Sequence, residues 1–533
     1  MRLKDVVRFR EDLLFDGAVQ LGWFEENREL AERAASHYVF HGPRYHGVTE
    51  QDFGDSSHSL MDTASFTLSF LERVYGMGDE DPFTMAIAGY GAGKSHLAVT
   101  VACLLDNPHS SIAGAILDNL TMADEAIGER ARDLVGSADK PFLVVALNGM
   151  QDFDLSAEIS RQVLKTLNRL GLDTTPLQNL RPRFKTAISF TESFAEVLKE
   201  EFALAFGRDY EIEEIIERLY SQDDEVFLRI NNIYQQRMGS PIPAAGQESL
   251  HDFIRVAKEM FCGPGKHFAG IVIIFDEFGR YLEFSVQKPH IAGPGALQQL
   301  FECVQAHRDR VSLLAFVQYE LKAYIARMAP ERREDVNRYV TRYDVVRRVR
   351  LSTNLETLIA NLLEKRDEGA AEQYSADLRP NLKKVFSAMY RWFPDMRNYA
   401  LWKDEERFRR VVGRGCWPLH PCSTWTLFRL TSVGRSLQHR SAFSLLADVY
   451  RSVENMELEP GMVINPVDLC NQALINEFLA SERFGMQGAS ATGYESVINR
   501  YQTELADDEI RILKSVVLAS KIHIKVESRE DYL

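Results

Sequence analysis

The chain has 533 residues, of which 45% are hydrophobic and 26% charged, enough to build a large interior and too long for a single core. Its net charge of −15 excludes a protein that coats itself with nucleic acid over its whole surface. No apolar run reaches the roughly 18 residues a bilayer requires, the N-terminus leads into charge, and six scattered cysteines fit a reducing compartment; a cytoplasmic protein with no membrane partner is expected.

Residues 1–75 read as a mostly helical segment. Leu30 to Ala35 has helical character, Tyr38-Val39-Phe40 looks like a short extended piece, and Phe66, Leu68, Leu71 and Val74 recur at helical spacing. The apolar run Phe83-Thr84-Met85-Ala86-Ile87 follows and has the character of a buried parallel strand. It leads into Ala88-Gly89-Tyr90-Gly91-Ala92-Gly93-Lys94-Ser95 and then a helix starting at His96 and running to Leu105.

A strand, a glycine-rich turn and a helix carrying Lys-Ser read as a phosphate-binding loop. Glycines let backbone N–H groups curl around phosphate oxygens, so Gly89, Tyr90, Gly91, Ala92, Gly93, Lys94, Ser95 and His96 are the expected nucleotide-binding residues. Lys94 would reach the β- and γ-phosphates, and Ser95 would bind Mg²⁺. Ala88 stands where the pattern has its first glycine, and neighbouring Gly89 and Gly91 keep the turn flexible.

Pro141 to Gly149 supplies the next strand, feeding a helix from about Ser156 to Leu170 that Gly171 stops. About 180 residues separate Lys94 from Asp276, more than a compact βαβαβ core needs, so residues 181–260 are expected to be a helical insertion. Helical stretches around Phe194-Ala195-Glu196-Val197-Leu198 and Ile212-Glu213-Glu214-Ile215-Ile216 are broken at Gly239-Ser240-Pro241-Ile242-Pro243.

Gly270-Ile271-Val272-Ile273-Ile274-Phe275-Asp276-Glu277-Phe278-Gly279 is the second strong signal. Its apolar run fits a strand buried on both faces, with two carboxylates where that strand leaves the core. Asp276 would hold Mg²⁺ and Glu277 would act as the base that polarises an attacking water. The glutamate favours ATPases of the additional-strand type over nucleotide kinases and GTPases. Leu297 to Ala306 reads as a helix and Val311 to Val317 as a core strand ending at Gln318, whose amide suits contact with the attacking water or γ-phosphate. Val345 to Leu351 is the expected last strand. Arg332, Arg333, Arg338 and Arg342 lie where an arginine finger for a neighbouring subunit would project, Arg342 being the choice among them. The arginines between Arg327 and Arg350, and those from Arg407 to Arg414, could meet DNA phosphates, but solvated faces, intersubunit contacts and nucleotide contacts compete as readings. Cys416, His420 and Cys422 match no zinc spacing and lack a fourth ligand, and His420 reads as a turn or core histidine.

The order of these features resembles the AAA+ ATPases and their relatives. Residues 76–180 and 261–352 would form an α/β P-loop NTPase core with a parallel sheet, and residues 353–533 a helical lid and mostly helical C-terminal region. A narrower resemblance lies in Gly270 to Glu283, in Cys416-Trp417-Pro418-Leu419-His420-Pro421 and in Gln438-His439-Arg440-Ser441-Ala442-Phe443. These look like stretches of the large P-loop ATPases encoded in bacterial phage-defence clusters, of which the ATPase of the BREX systems is the best known. The resemblance spans roughly residues 80 to 450. It implies Mg²⁺-dependent ATP hydrolysis in a homo-oligomer working beside other defence proteins on foreign DNA, with Gln438 and Arg440 on a lid that senses nucleotide. The rival expectation is a nucleotide-gated scaffold, or an ATP-driven remodeller of proteins, with no direct DNA contact.

Overall fold

The computed structural model describes residues 1–15, 19–43, 59–76, 81–88, 93–178, 180, 182–242, 250–292, 295–326, 333, 342–343, 346–351, 355–376, 379–432, 439–483, 489–501, 504–522 and 524. Its strands are β1 (Val7–Phe9), β2 (Ser59–Met61), β3 (Phe83–Ile87), β4 (Leu143–Asn148), β5 (Ile271–Asp276), β6 (Val311–Val317), β7 (Arg347–Leu351) and β8 (Leu363–Lys365). Six of them form one sheet in the order β2-β7-β3-β6-β5-β4, and every pairing in it is parallel. The fold is α/β around a parallel sheet, with mostly helical content elsewhere.

Continuous apolar runs suit this sheet because both of its faces are covered. β3, β5 and β6 are buried at every position. Alternate residues then divide between two layers. Met85, Val145, Ile273 and Leu313 meet the helices Leu155–Arg169, Leu250–Phe261, Phe278–Gln287 and Ala296–Ala306 on one face. Ala86, Val144, Val272 and Leu314 meet Thr63–Tyr75, Lys94–Asp106 and Ser111–Ala123 on the other.

β6 lies between β3 and β5, with Ile87 opposite Val317 and Phe275 opposite Ala315. The carboxyl ends of all three strands therefore share one edge. The expected last strand is present as Arg347–Leu351, but it is an inner strand: the three-residue β2, which no sequence pattern announced, forms the edge beyond it.

The helical insertion has its own core, in which Phe184, Phe190, Phe202, Ile215, Leu219, Phe227 and Ile230 are buried together. Its helices are Pro182–Phe194, Lys199–Phe206, Ile212–Tyr220 and Asp224–Met238, the last stopped by Gly239 at φ 77°. Beyond Phe194, Ala195 to Leu198 is a turn rather than a helix. The amides of Val197 and Leu198 close back on the Phe194 carbonyl, and Ala195 and Leu198 are buried because the turn itself packs inward. Leu250–Phe261, at the expected insertion's far end, packs in the sheet core instead. Tyr38-Val39-Phe40 joins no sheet; its two aromatic rings meet edge to face, with centroids 4.7 Å apart.

The first residues do not stay with the segment that follows them. β1 pairs antiparallel with β8, Val7 opposite Lys365 and Phe9 opposite Leu363. Leu3, Val6, Val7 and Phe9 thereby enter the core of the C-terminal helical region, whereas Leu21, Phe24, Phe66, Phe70 and Val74 pack against the sheet. Among the described residues, no helix is long and apolar enough to cross a membrane.

Candidate functional site

β3 ends at Ile87, and the Ala88 N–H still bonds the Val317 carbonyl at 3.1 Å, so the chain follows β6 for one residue past the strand. Gly89, Tyr90, Gly91 and Ala92 lie outside the described residues. The chain returns at Gly93, whose φ of 75° is left-handed, and enters the helix Lys94–Asp106. A glycine takes that turn without a Cβ penalty. Gly93 carries no side chain to cap this helix, and the positive end of the helix dipole faces the edge.

Asp276 closes β5 and is only 3% exposed. Burial pushes its carboxyl up, while a hydrogen bond from the Ser95 hydroxyl and the charge of Lys94 oppose that shift. Its Oδ1 also accepts the Glu277 N–H at 3.0 Å. Burial likewise raises Glu277, Lys94 and Arg280 pull it down, and Asp276 adds to the rise. Lys94, itself 6% exposed, is pushed down by burial and held up by the same two carboxylates. Lys94, Ser95, Asp276 and Glu277 thus form one electrostatic group assembled from two distant segments.

Glu277 is one of two non-glycine residues with positive φ among those described, at φ 52° and ψ 38°. That conformation costs about 1–2 kcal/mol for a side chain with a Cβ. It turns the chain from β5 into the helix Phe278–Gln287 within a single residue and leaves the carboxylate at the strand end.

Gly149 makes this turn possible and gave no sign in the sequence. It follows Asn148, which is in register with Asp276, and its N–H bonds the Asp276 carbonyl at 2.9 Å. A Cβ at Gly149 would sit 2.3 Å from the Glu277 carbonyl oxygen. Only a glycine admits the Glu277 backbone so near.

Gln318 occupies the end of β6, on the middle strand of the three, and its backbone N–H bonds the Tyr324 hydroxyl at 3.1 Å. His96 points elsewhere. Its Nε2 lies 2.6 Å from the Ala34 carbonyl and its ring meets Tyr38 edge to face. Arg342 is paired with Glu302 of the helix Ala296–Ala306. Of the other finger candidates, Arg332 and Arg338 lie outside the described residues, as does Gln438. Arg440 is in the first turn of the helix His439–Val453, and its side chain is outside what is described.

The arginines of β7 have partners within the chain. Arg348 and Arg350 share Glu320, at 3.5 and 2.8 Å, and Arg347 bonds the Ser69 hydroxyl at 2.9 Å. Cys416 gives its S–H to the Glu356 carbonyl, and His420 Nδ1 accepts the Cys422 N–H at 3.1 Å. Burial pushes His420 down, as expected of a histidine packed in a turn.

The arrangement sets the positive end of a helix dipole beside a buried ammonium, where an anion is favoured, and can offer a carboxylate as proton acceptor. Among the described residues, no three His, Cys, Asp or Glu side chains gather to hold a metal by themselves. An ion at Ser95 and Asp276 would complete its shell with water and oxygens of a bound molecule, a pattern that suits Mg²⁺. No protein-family model matches the chain, and no curated protein matches it.

Proposed function

We propose that the chain is a Mg²⁺-dependent ATPase of the P-loop, additional-strand type. The observation that carries this reading is the convergence of Lys94, Ser95, Asp276 and Glu277 at one sheet edge, with β6 between the two strands that supply them. A strand in that position is what the additional-strand name describes.

In this reading the segment Gly89 to Ser95 wraps the phosphates with backbone N–H groups, and Lys94 offsets charge on the β- and γ-phosphates. Ser95 and Asp276 would hold Mg²⁺, which supplies charge neutralisation when bound. Glu277 accepts a proton from water as the water oxygen bonds the γ-phosphorus and the bond to the β-bridging oxygen breaks, leaving ADP and phosphate. Burial favours this role because a carboxyl above its ordinary range is a better base. Gln318 orients the water, and an arginine from a neighbouring subunit of a homo-oligomer completes the charge balance. For Arg342 to serve, it must leave Glu302.

The wider setting rests on the resemblance: a cytoplasmic assembly with other anti-phage defence proteins, coupling hydrolysis to a conformational change on DNA. A second reading, the nucleotide-gated scaffold without direct DNA contact, is favoured by one observation, the internal pairing of Arg348 and Arg350 with Glu320 in an acidic chain.

Phosphate release with ATP and Mg²⁺ tests the proposal, comparing the native protein with Glu277→Gln, each with and without double-stranded DNA. Turnover that depends on Glu277 is expected. A Glu277→Gln protein as active as the native one refutes the base assignment, whereas tight ATP binding without turnover in both points to the scaffold.

A further inference from the structure

Tyr324 lies on the short helix Leu321–Ala326, immediately beyond Gln318, and is 5% exposed. Its hydroxyl oxygen accepts the Gln318 N–H at 3.1 Å and also takes a backbone hydrogen bond from Tyr319. The other end of the contact is the first turn of Phe278–Gln287. A Cβ at Gly279 would stand 2.2 Å from the tyrosine Cζ and 2.4 Å from Cε2. The phenol ring therefore lies directly on the Gly279 backbone, two residues from Glu277. That contact also explains a glycine in the first turn of this helix, a place where glycine is otherwise unfavourable.

Burial raises the phenol's pKa, the two amide bonds oppose that rise, and the charges of Glu277 and Glu283 add to it. The hydroxyl stays protonated at neutral pH, so it accepts two amides and retains a proton to give.

We propose that Tyr324 is a positioning residue that fixes the separation between the end of β6, with Gln318, and the turn that carries Glu277. The inference rests on the hydrolytic reading above, in which those two residues address one water. The polar end seizes β6 through its backbone and the flat face sits on the helix that Glu277 begins, so neither segment shifts without the other. Reactions that need two groups on one water lose rate steeply when their spacing drifts.

Tyr324→Phe retains the ring on Gly279 and removes only the hydroxyl. The expected result is a fall in kcat of about tenfold or more with KM for ATP within twofold, because the phosphate-binding residues are untouched. Gly279→Ala displaces the ring and should lower kcat in the same direction. Hydrogen exchange in the native chain and in Tyr324→Phe reads the strut without reference to turnover: the Gln318 and Tyr319 amides should lose protection in the variant. Unchanged kcat in Tyr324→Phe, beside a native protein whose turnover needs Glu277, overturns the positioning role. If the native protein shows no such turnover, the hydrolytic reading is what fails; amide exchange then decides the strut alone, and unchanged protection overturns it.

Discussion

Gly149→Ala is the sharpest test of how the site is built, because the same geometric reasoning fixes its effect and those of two controls. An added Cβ would lie 2.3 Å from the Glu277 carbonyl oxygen and 2.9 Å from its carbonyl carbon, where real Cβ contacts begin at 3.0 Å. The two backbones must separate by about 0.7 Å or more. The Gly149 N–H to Asp276 carbonyl bond, 2.9 Å long, joins the same backbones and would lengthen with them. Overpacking of this kind costs about 1–3 kcal/mol. On the proposed hydrolytic reading, moving the Glu277 turn by a large fraction of an ångström should also lower kcat about 10- to 100-fold. Gly128→Ala meets the Thr121 backbone at 2.3 Å, in the contact between the helices Ser111–Ala123 and Glu125–Gly136. It should lose about 1–3 kcal/mol of stability with kcat per folded molecule unchanged. Gly114→Ala meets nothing within 4 Å and should gain about 0.5–1 kcal/mol. Urea unfolding followed by circular dichroism, with ATP turnover on the same preparations, gives both readouts. If Gly149→Ala unfolds with the native protein while Gly128→Ala is destabilised, the close approach of β4 to the Glu277 turn is wrong.

Three further outcomes can be measured. Glu277→Gly and Glu277→Gln should both abolish turnover, but the glycine relieves the left-handed strain and should be more stable in urea by up to about 1 kcal/mol, after allowing for the greater freedom of an unfolded glycine. Burial raises Glu277 above its ordinary 4.5, so kcat/KM should fall as pH drops through a value above 4.5; the raised folded-state pKa also means the charged carboxylate destabilises the fold at neutral pH, so Glu277→Gln should be the more stable protein there and lose that advantage below the ordinary value. In the C-terminal region, Glu482 meets Lys521 at 2.6 Å with both side chains almost fully buried, and it also caps the Ala491 and Thr492 amides. Burial pushes Glu482 up, but Lys521 and those amides hold it down at about 2, from 4.5, which is worth about 3 kcal/mol above the unfolded-state pKa and is lost as pH falls through about 2. Glu482→Gln should therefore lose about that much in urea unfolding at pH 7, with a difference that shrinks below pH 4.5; equal stability at pH 7 would refute the pairing.

What could be read from the sequence and what could not divide along the distance over which each feature is determined. The runs at Phe83, Ile271 and Val311 announced strands because a strand buried on both faces must be apolar throughout, a requirement each residue meets locally. Lys94, Ser95, Asp276 and Glu277 were legible for the same reason: each stands at the end of such a run. Gly149 was invisible because its constraint comes from Glu277, in a turn reached only after the whole insertion. The β1 and β8 pairing joins segments far apart in the chain, and two three-residue strands carry too few side chains to show a period. Arg342 has an acidic partner on a neighbouring helix that no spacing could reveal.

Phe194 to Leu198 shows the opposite failure, in which a local pattern was present and pointed wrongly. Its buried Ala195 and Leu198 satisfied a helical spacing, yet the chain there closes a turn that sends these two into the insertion's core and leaves Val197 exposed. Burial periodicity reports which side chains face inward and leaves the backbone path open. The site obeys the same division. Its charged groups lie at strand ends where local pattern places them, but the separation between Glu277 and Gln318 is set by Gly149, Gly279 and Tyr324, each through contact with a segment remote in the chain or across a turn. Chemistry of this kind is written in residue types, whereas its geometry is held by small residues whose only mark is the absence of a side chain.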